Sequence, residues 1–305
     1  APELEKGYAF LLKNVQPDGG IYLKARANYN TALSLMALVL HPQASKFDKE
    51  ILAARRFLIS RQMDLDEKGT TDNPLDGGIG YGDDKGFHAD LSNTHFTLEA
   101  LKYAEAYLAD RGDELKDEPK LNFAAAIKFI ERCQNLPGTN DQPWVSKNER
   151  EKGGFIYGPT ETRGPKEEPD ADGRVAMRSY GSISYAGLLS FIYAGLTADD
   201  PRVSAAINWL SHNFTLDENP AMGAEGQYYY YHTMAKSLRA AQLDELKLKD
   251  GGKVAWREAL AGKLLNLQKG DGQWVNDGAG RWMESDPVLV TSYVLLALGH
   301  VAASW

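Results

Sequence analysis

Asp76-Gly77-Gly78 opens the stretch that decides the fold, and Asn93-Thr94-His95-Phe96-Thr97-Leu98-Glu99-Ala100-Leu101 closes it. The paired glycines admit backbone angles that a side chain forbids, so they read as a forced turn. The Asn-Thr start followed by Leu98, Leu101 and Leu108 reads as a capped helix with an apolar stripe. Glycine turns also stand at Gly19-Gly20, Gly153-Gly154, Gly226-Gln227 and Gly272-Gln273, each with a helical segment before and after it.

The segments before the turns share a bulky residue, commonly an aliphatic next, and then Gln. They read Leu11-Leu12 with Gln16, Phe57-Leu58 with Gln62, Phe129-Ile130 with Gln134, and Leu264-Leu265 before Gln268. Trp209-Leu210 is the remaining copy, with Phe214 in the glutamine position. Among the segments after the turns, Thr31, Thr94 and Thr291 each precede an Ala-Leu pair at the same spacing. The third and fourth copies, Ser182 to Leu196 and Tyr231 to Ala241, keep the apolar pattern and lose the threonine register. Asp250-Gly251-Gly252 falls between two pairs and reads as a linker turn.

The two kinds of helix have different surroundings. Asn122 to Cys133 places Ala126, Ile130 and Cys133 on one face and charges on the other, as in a helix with one side in water. Tyr185 to Ala194 carries no charge and is apolar around most of its circumference, as in a helix surrounded by protein. Alternation of the two implies an all-α, single-domain fold over residues 1–305, with about five helix pairs in an inner and an outer ring. A straight solenoid is the alternative. Long loops at Asp64–Pro74, Leu136–Lys152 and Pro159–Arg178 precede inner helices, and loops of that length are commonly functional.

Composition removes several function classes. Hydrophobic residues make up 43% of the 305 and charged residues 25%, which suits a folded globular chain. A net charge of −8 without a Lys/Arg cluster argues against nucleic-acid partners. A single cysteine, Cys133, excludes an internal disulfide and any multi-cysteine zinc site. No apolar run approaches the roughly 20 residues that span a bilayer. The start Ala1-Pro2-Glu3, without an initiator methionine, reads as the product of removing a signal peptide, a tag or a neighbouring domain. Export is one reading of it.

The Gln and Gly-x-Trp pattern, clearest at Gln268-Lys269-Gly270-Asp271-Gly272-Gln273-Trp274, resembles the repeat of squalene–hopene cyclases and protein prenyltransferase β subunits. With Ser179-Tyr180-Gly181-Ser182, Tyr185-Ala186-Gly187-Leu188 and Tyr229-Tyr230-Tyr231-His232-Thr233, the chain is similar to stand-alone bacterial proteins of the prenyltransferase and squalene oxidase repeat family. The resemblance covers essentially the whole chain. It implies an (α/α) toroid with a central cavity that takes a small-molecule or oligomeric ligand. One fold hosts many functions, so it implies an activity only weakly.

Each of the family's chemistries asks for particular residues. A class II terpene cyclase protonates an alkene with the middle Asp of Asp-x-Asp-Asp, an acid held protonated by its surroundings. Asp170-Ala171-Asp172-Gly173 is the nearest match; it lacks the last Asp and sits in a polar loop. Tyr180, Tyr185, Tyr228 to Tyr231, Trp274 and Trp282 are the aromatic groups that a carbocation would need, or are plain core. The zinc ligands of prenyltransferases have no match. Asp83-Asp84 ends in Phe87 where a class I diphosphate motif would continue. No metal and no cofactor is implied.

A second chemistry competes. Inner-helix N-termini suit anions, and Arg178, Tyr180, Tyr229, Tyr230, Tyr231, His232 and His95 fall near them. An Arg holding a carboxylate and a Tyr or His moving a proton would serve a lyase or hydrolase on acidic sugars. The bland reading is that the hydroxyls cap helices and His232 is structural. Asp90 and Asp286 immediately precede inner helices and are either site acids or helix caps. Three readings therefore stand at this point: a terpenoid-cyclase-like protein with Asp170, Asp172, Tyr180, Tyr231 and His232 as reacting groups, a carbohydrate-active enzyme, and a non-catalytic ligand-binding or scaffold protein. Asp90, His95, Arg178, Tyr185, Tyr229, Tyr230, Trp274, Trp282 and Asp286 are the residues expected to touch the ligand.

Overall fold

The computed structural model describes residues 2–82, 88–109, 117–169, 171 and 173–303. Among the described residues the chain is all-α, apart from one short hairpin. Outer helices α1 (Pro2–Lys13), α3 (Asp48–Ile59), α5 (Phe123–Glu131), α7 (Pro201–His212) and α9 (Trp256–Asn266) alternate with inner helices α2 (Ala27–Val39), α4 (Leu91–Leu108), α6 (Gly181–Tyr193), α8 (Gln227–Ala240) and α10 (Pro287–Ala302). The chain divides into two compact units, Ala1–Ile130 and Glu131–Trp305. In the first, α2 packs on α3 and α4. In the second, α8 lies between α6 and α10, with α7 against α6 and α9 against α10. Each unit thus has the inner-and-outer layering of an α/α toroid.

Burial follows the two expected helix types. α7 buries the stripe Val203, Ala206, Trp209 and Leu210, whereas α6 is buried at every position from Gly181 to Phe191. α4 is buried without a break from Asn93 to Leu101. α10 departs from its type. It buries only Val290, Val294 and Ala297 and leaves Val288 74% exposed, with Leu295 and Leu296 also in solvent. The sequence of α10 reads as buried because it lacks charge, but within its unit α8 and α9 cover one side only.

The recurring residues are explained by hydrogen bonds. Gln62 Nε2 donates to Gly77 O at 3.1 Å and to Asn122 O at 2.9 Å, while its Oε1 accepts from Asn122 N at 2.9 Å. Gln134 Nε2 likewise donates to Gly153 O at 3.0 Å and to Arg202 O at 2.9 Å. One side-chain amide therefore ties its own turn to the start of the next outer helix. The threonine hydroxyls accept the first amide after the turn: Thr31 from Ile21, Thr94 from Ile79, Thr291 from Trp274. In the third pair Ser184 accepts from Phe155 N at 2.9 Å, so a serine fills a position that reads as lost when only threonine is sought.

Helix starts fall into two groups. Asp90, Asp200 and Asp286 cap α4, α7 and α10 with their own carboxylates. α6 and α8 have no capping side chain of their own. Asn219 Oδ1 accepts from Ser182 N in α6, and Glu284 Oε1 accepts from Tyr229 N in α8. Both acceptors come from the loop of the following pair. This moves the start of α8 to Gln227, after Gly226 at φ 64, earlier than the expected Tyr231. The tyrosine run is helical as a result.

Asp250-Gly251-Gly252 turns a hairpin between β1 (Glu245–Lys247) and β2 (Lys253–Ala255). Strands of three residues are too short for an alternating pattern to announce them.

Two glycines with similar positive φ separate backbone strain from close approach. A Cβ on Gly153 (φ 98) would lie 2.1 Å from Ala205 O in α7, whereas one on Gly138 (φ 101) would meet nothing within 4 Å. Gly138→Ala is expected to cost about 1–2 kcal/mol from the left-handed backbone alone. Gly153→Ala adds a clash with a backbone atom and is expected to cost about 3 kcal/mol or more. Urea denaturation of the two variants checks this, and equal losses would contradict it.

Candidate functional site

A cleft of ≈ 690 Å³ lies in the second unit between α7, the turn 149–152, Arg178-Ser179 and Pro220-Ala221. Helical spacing sets one wall: Ala205, Asn208, Trp209 and His212 share a face of α7. Trp209 Nε1 donates to Arg150 O at 2.9 Å and so fastens the turn to the helix. Its ring is largely buried.

Arg178 is the organised charge. Its Nε donates to Glu151 Oε1 at 3.0 Å, and Glu151 Oε2 accepts from Ser179 N at 2.8 Å. Ser179 Oγ, in turn, donates to Glu151 O at 3.2 Å and accepts from Asn135 Nδ2 at 3.0 Å. The buried carboxylate is thus fully used in aiming a guanidinium whose side chain stays 45% exposed. Arg150, Lys152 and Lys249 also line the cleft, against Glu149 and Glu151. The cleft is locally basic on a chain of net charge −8.

The other expected site residues stand as follows. Asp170 and Asp172 lie outside the described residues, as do Asp83 and Asp84. Asp90 and His95 belong to the first unit. Asp90 is the buried cap of α4, accepting from both Asn93 nitrogens at 2.8 Å with His88 Nε2 at 3.3 Å. His95 is buried against Phe96, its Nδ1 3.2 Å from Ser92 O and its Nε2 4.0 Å from Glu99.

The rest belong to the second unit. Tyr180 is buried at the N-cap of α6, and Tyr185 is fully buried with its ring 5.6 Å from that of Tyr230. Tyr230 and Tyr231 donate their hydroxyls to Thr215 O and Leu216 O at 2.9 and 2.6 Å. Burial pushes the hydroxyls of Tyr185, Tyr230 and Tyr231 well above the ordinary tyrosine value. Tyr229 packs on Tyr293, and His232 stacks on the same ring at 5.6 Å. Trp274 is buried, donating Nε1 to Leu264 O at 2.7 Å. Asp286 caps α10, accepting from Val288 N at 2.8 Å. Of this set, Arg178 alone lines the cleft.

Glu151 and Glu284 are what the sequence reading missed. Glu151 had a signal, an acid shortly before a glycine turn, shared with Asp18, Asp76 and Asp271. Asp76 works in the same way, accepting from Leu65 N and Asn73 N at 2.7 Å. Glu284 had none, because its partner in α8 is remote in sequence. It is 1% exposed and delivered by a strained turn in which Trp282 (φ 58) and Met283 (φ 66) are left-handed. Trp282 stays 42% exposed, with the Arg281 guanidinium 4.3 Å from its ring. Burial raises the Glu284 carboxyl above its ordinary value despite bonds from Tyr229 N and Asn276 Nδ2. Burial, with the charges of Glu284 and Asp277, pushes the neighbouring Tyr228 hydroxyl up to about 12.

No family model matches the chain, and no curated protein matches it. A crystal structure of a protein from Actinoplanes is similar over 98% of this chain and 74% of that one, with 18% identity and a TM-score of 0.56. That likeness shows a shared fold. A type II terpene cyclase from Scytonema, solved in complex with merosterolic acid A, aligns over 99% of this chain and 97% of its own. Identity there is 15% and the TM-score 0.34, which carries no argument about this protein. Among the described residues no group of His, Cys, Asp and Glu has a metal-holding arrangement, and no helix is long and apolar enough to cross a membrane.

The raised Glu284 carboxyl has a signed consequence. An acid that holds its proton more tightly when folded makes stability fall as pH rises from its ordinary value of 4.5 through the raised one. Wild type is therefore expected to gain stability relative to Glu284→Gln on acidification from neutral pH toward 4.5. Chemical denaturation of both proteins across that range measures the difference, and a flat difference would refute the assignment.

Proposed function

We propose that the protein is a ligand-binding α/α protein whose cleft beside α7 takes an acidic oligosaccharide. The observation that carries this reading is the Arg178 guanidinium, held on one edge by buried Glu151 and open to the cleft on the other. Among the described residues only its Nε is bonded within the protein, so both terminal nitrogens remain for a carboxylate, the geometry in which Arg binds strongly. Asn208, Asn213 and His212 add donors and acceptors suited to hydroxyl groups. A volume near 690 Å³ exceeds what a lone anion fills and falls within the usual range of organic-ligand sites.

Binding rather than turnover is what these residues support. Tyr231, offered by its sequence position as a proton carrier, has its hydroxyl engaged with Leu216 O, and His232 stacks on Tyr293. Neither lines the cleft. The isoprenoid reading has one observation in its favour, the buried aromatic packing of Tyr185 and Tyr230 between inner helices.

A thermal-shift screen with trigalacturonate, maltotriose and geranylgeraniol separates the readings, because a ligand bound only by the native state raises the apparent midpoint. Trigalacturonate is expected to raise it and maltotriose to do so less. Arg178→Gln is expected to weaken trigalacturonate binding about 10-fold or more, the loss of a charge-assisted pair. A response to geranylgeraniol alone would favour the apolar ligand, and no response to any probe would favour a scaffold.

A further inference from the structure

The charge in the cleft is held from further away than Glu151. Asn135 lies just after α5 and is fully buried. Its Nδ2 donates to Met177 O at 2.8 Å and to Ser179 Oγ at 3.0 Å, and its Oδ1 accepts from Ser146 N at 2.9 Å. Met177 O can only accept and Ser146 N can only donate, so the amide has one orientation. The two acceptors of Nδ2 belong to the chain neighbours of Arg178 on either side.

The backbone at this position belongs to the architecture. Asn135 N donates to Gly154 O and Asn135 O accepts from Gly153 N, each at 2.8 Å. The same bracket recurs as Gln16 with Gly19 and Gly20, Met63 with Gly77 and Gly78, and Lys269 with Gly272 and Gln273. The side chain is not part of that repeat. A glutamine, a methionine and a lysine serve the other copies, so the turn itself places no demand on an asparagine amide. What sets Asn135 apart is that its amide reaches both sides of Arg178.

We propose that Asn135 is the positioning residue for Arg178, holding the chain on both sides of it so that the guanidinium is fixed before a ligand arrives.

Arg178 ends the long loop that begins at Pro159, and its own N–H donates to Pro165 O at 3.1 Å. Loop backbone is ordinarily the mobile part of a fold. The Asn135 amide anchors that backbone and so sets the direction in which the Arg178 side chain leaves it; Glu151 then holds Nε at 3.0 Å. A long side chain ordered in advance loses less rotamer freedom on binding, which raises affinity without a new contact. The effect on a ligand rests on the acidic-oligosaccharide reading of the cleft; the effect on Arg178 does not.

Heteronuclear NMR relaxation of the arginine Nε–H groups tests this on the intact chain. In the wild type Arg178 is expected to be as ordered as Arg202, whose Nε donates to Asp200 at 2.8 Å, and more ordered than exposed Arg150. Asn135→Leu, which keeps the approximate shape and removes the amide, is expected to shift Arg178 toward the mobility of Arg150 and to leave Arg202 unchanged. Asn135→Ala serves as a second variant should the first fail to fold. Trigalacturonate binding is expected to weaken about 3- to 10-fold in the variant, and the same substitution added to Arg178→Gln is expected to weaken it no further. A wild type that binds no trigalacturonate would overturn the reading of the cleft, and the relaxation comparison would still decide the role of Asn135. An Arg178 as mobile as Arg150 in the wild type, an Arg178 unchanged by either substitution, or losses that simply add in the double variant would overturn the proposal.

Discussion

Everything else in the structure depends on one side-chain amide bonded in two directions. Gln62 and Gln134 each hold the carbonyl of their own glycine turn and a backbone group at the start of the next outer helix. The arrangement works because the glycine can press against that helix: a Cβ on Gly77 would lie 2.0 Å from Ala125 O. Glycine supplies the approach and glutamine satisfies the backbone groups that the approach buries. Either alone would leave a void or an unpaired polar group, each costing about 1–3 kcal/mol.

The same economy governs the inner helices. α6 and α8 are buried over most of their length and lack capping side chains of their own, so acceptors for their first N–H groups come from elsewhere in the protein. Asn219 and Glu284, from the loops of the following pairs, provide it. Consecutive pairs are thus joined by polar bonds as well as by apolar packing, and a buried acid such as Glu284 is tolerated because it completes a neighbour's helix. Glu151 does related work in the cleft, where its bonds to Arg178 and Ser179 turn a structural carboxylate into the mount for an exposed cation.

The fold was legible in sequence to a large degree, and the cleft hardly at all. Helix type, turn position and the Gln–Gly–Thr register are local patterns, and they recur in the observed bonds, with Ser184 standing in for threonine. The aromatic residues singled out for function were legible only as aromatic. Tyr185, Tyr230, Tyr231 and Trp274 proved to be buried, with hydroxyl and indole groups on backbone carbonyls where their bonds are resolved. Asp90 and Asp286 cap α4 and α10.

By itself, then, the sequence determined an all-α chain of five outer and inner helix pairs among the described residues, because periodicity and glycine turns act between residues a few positions apart. Only the tertiary structure decided which charges matter. Glu151 meets Arg178, Glu284 meets α8, and His300 meets Arg239 across separations that no local pattern encodes. Burial then sets what each group can do. It holds His300 down, lifts Glu284 and Tyr228 up, and leaves Arg178 half in water with two nitrogens to offer. The opening stretch, Asp76 to Leu101, is architecture at its glycines, at Asp76, at Asp90 and at Thr94, and that much needed only neighbours in sequence to be read.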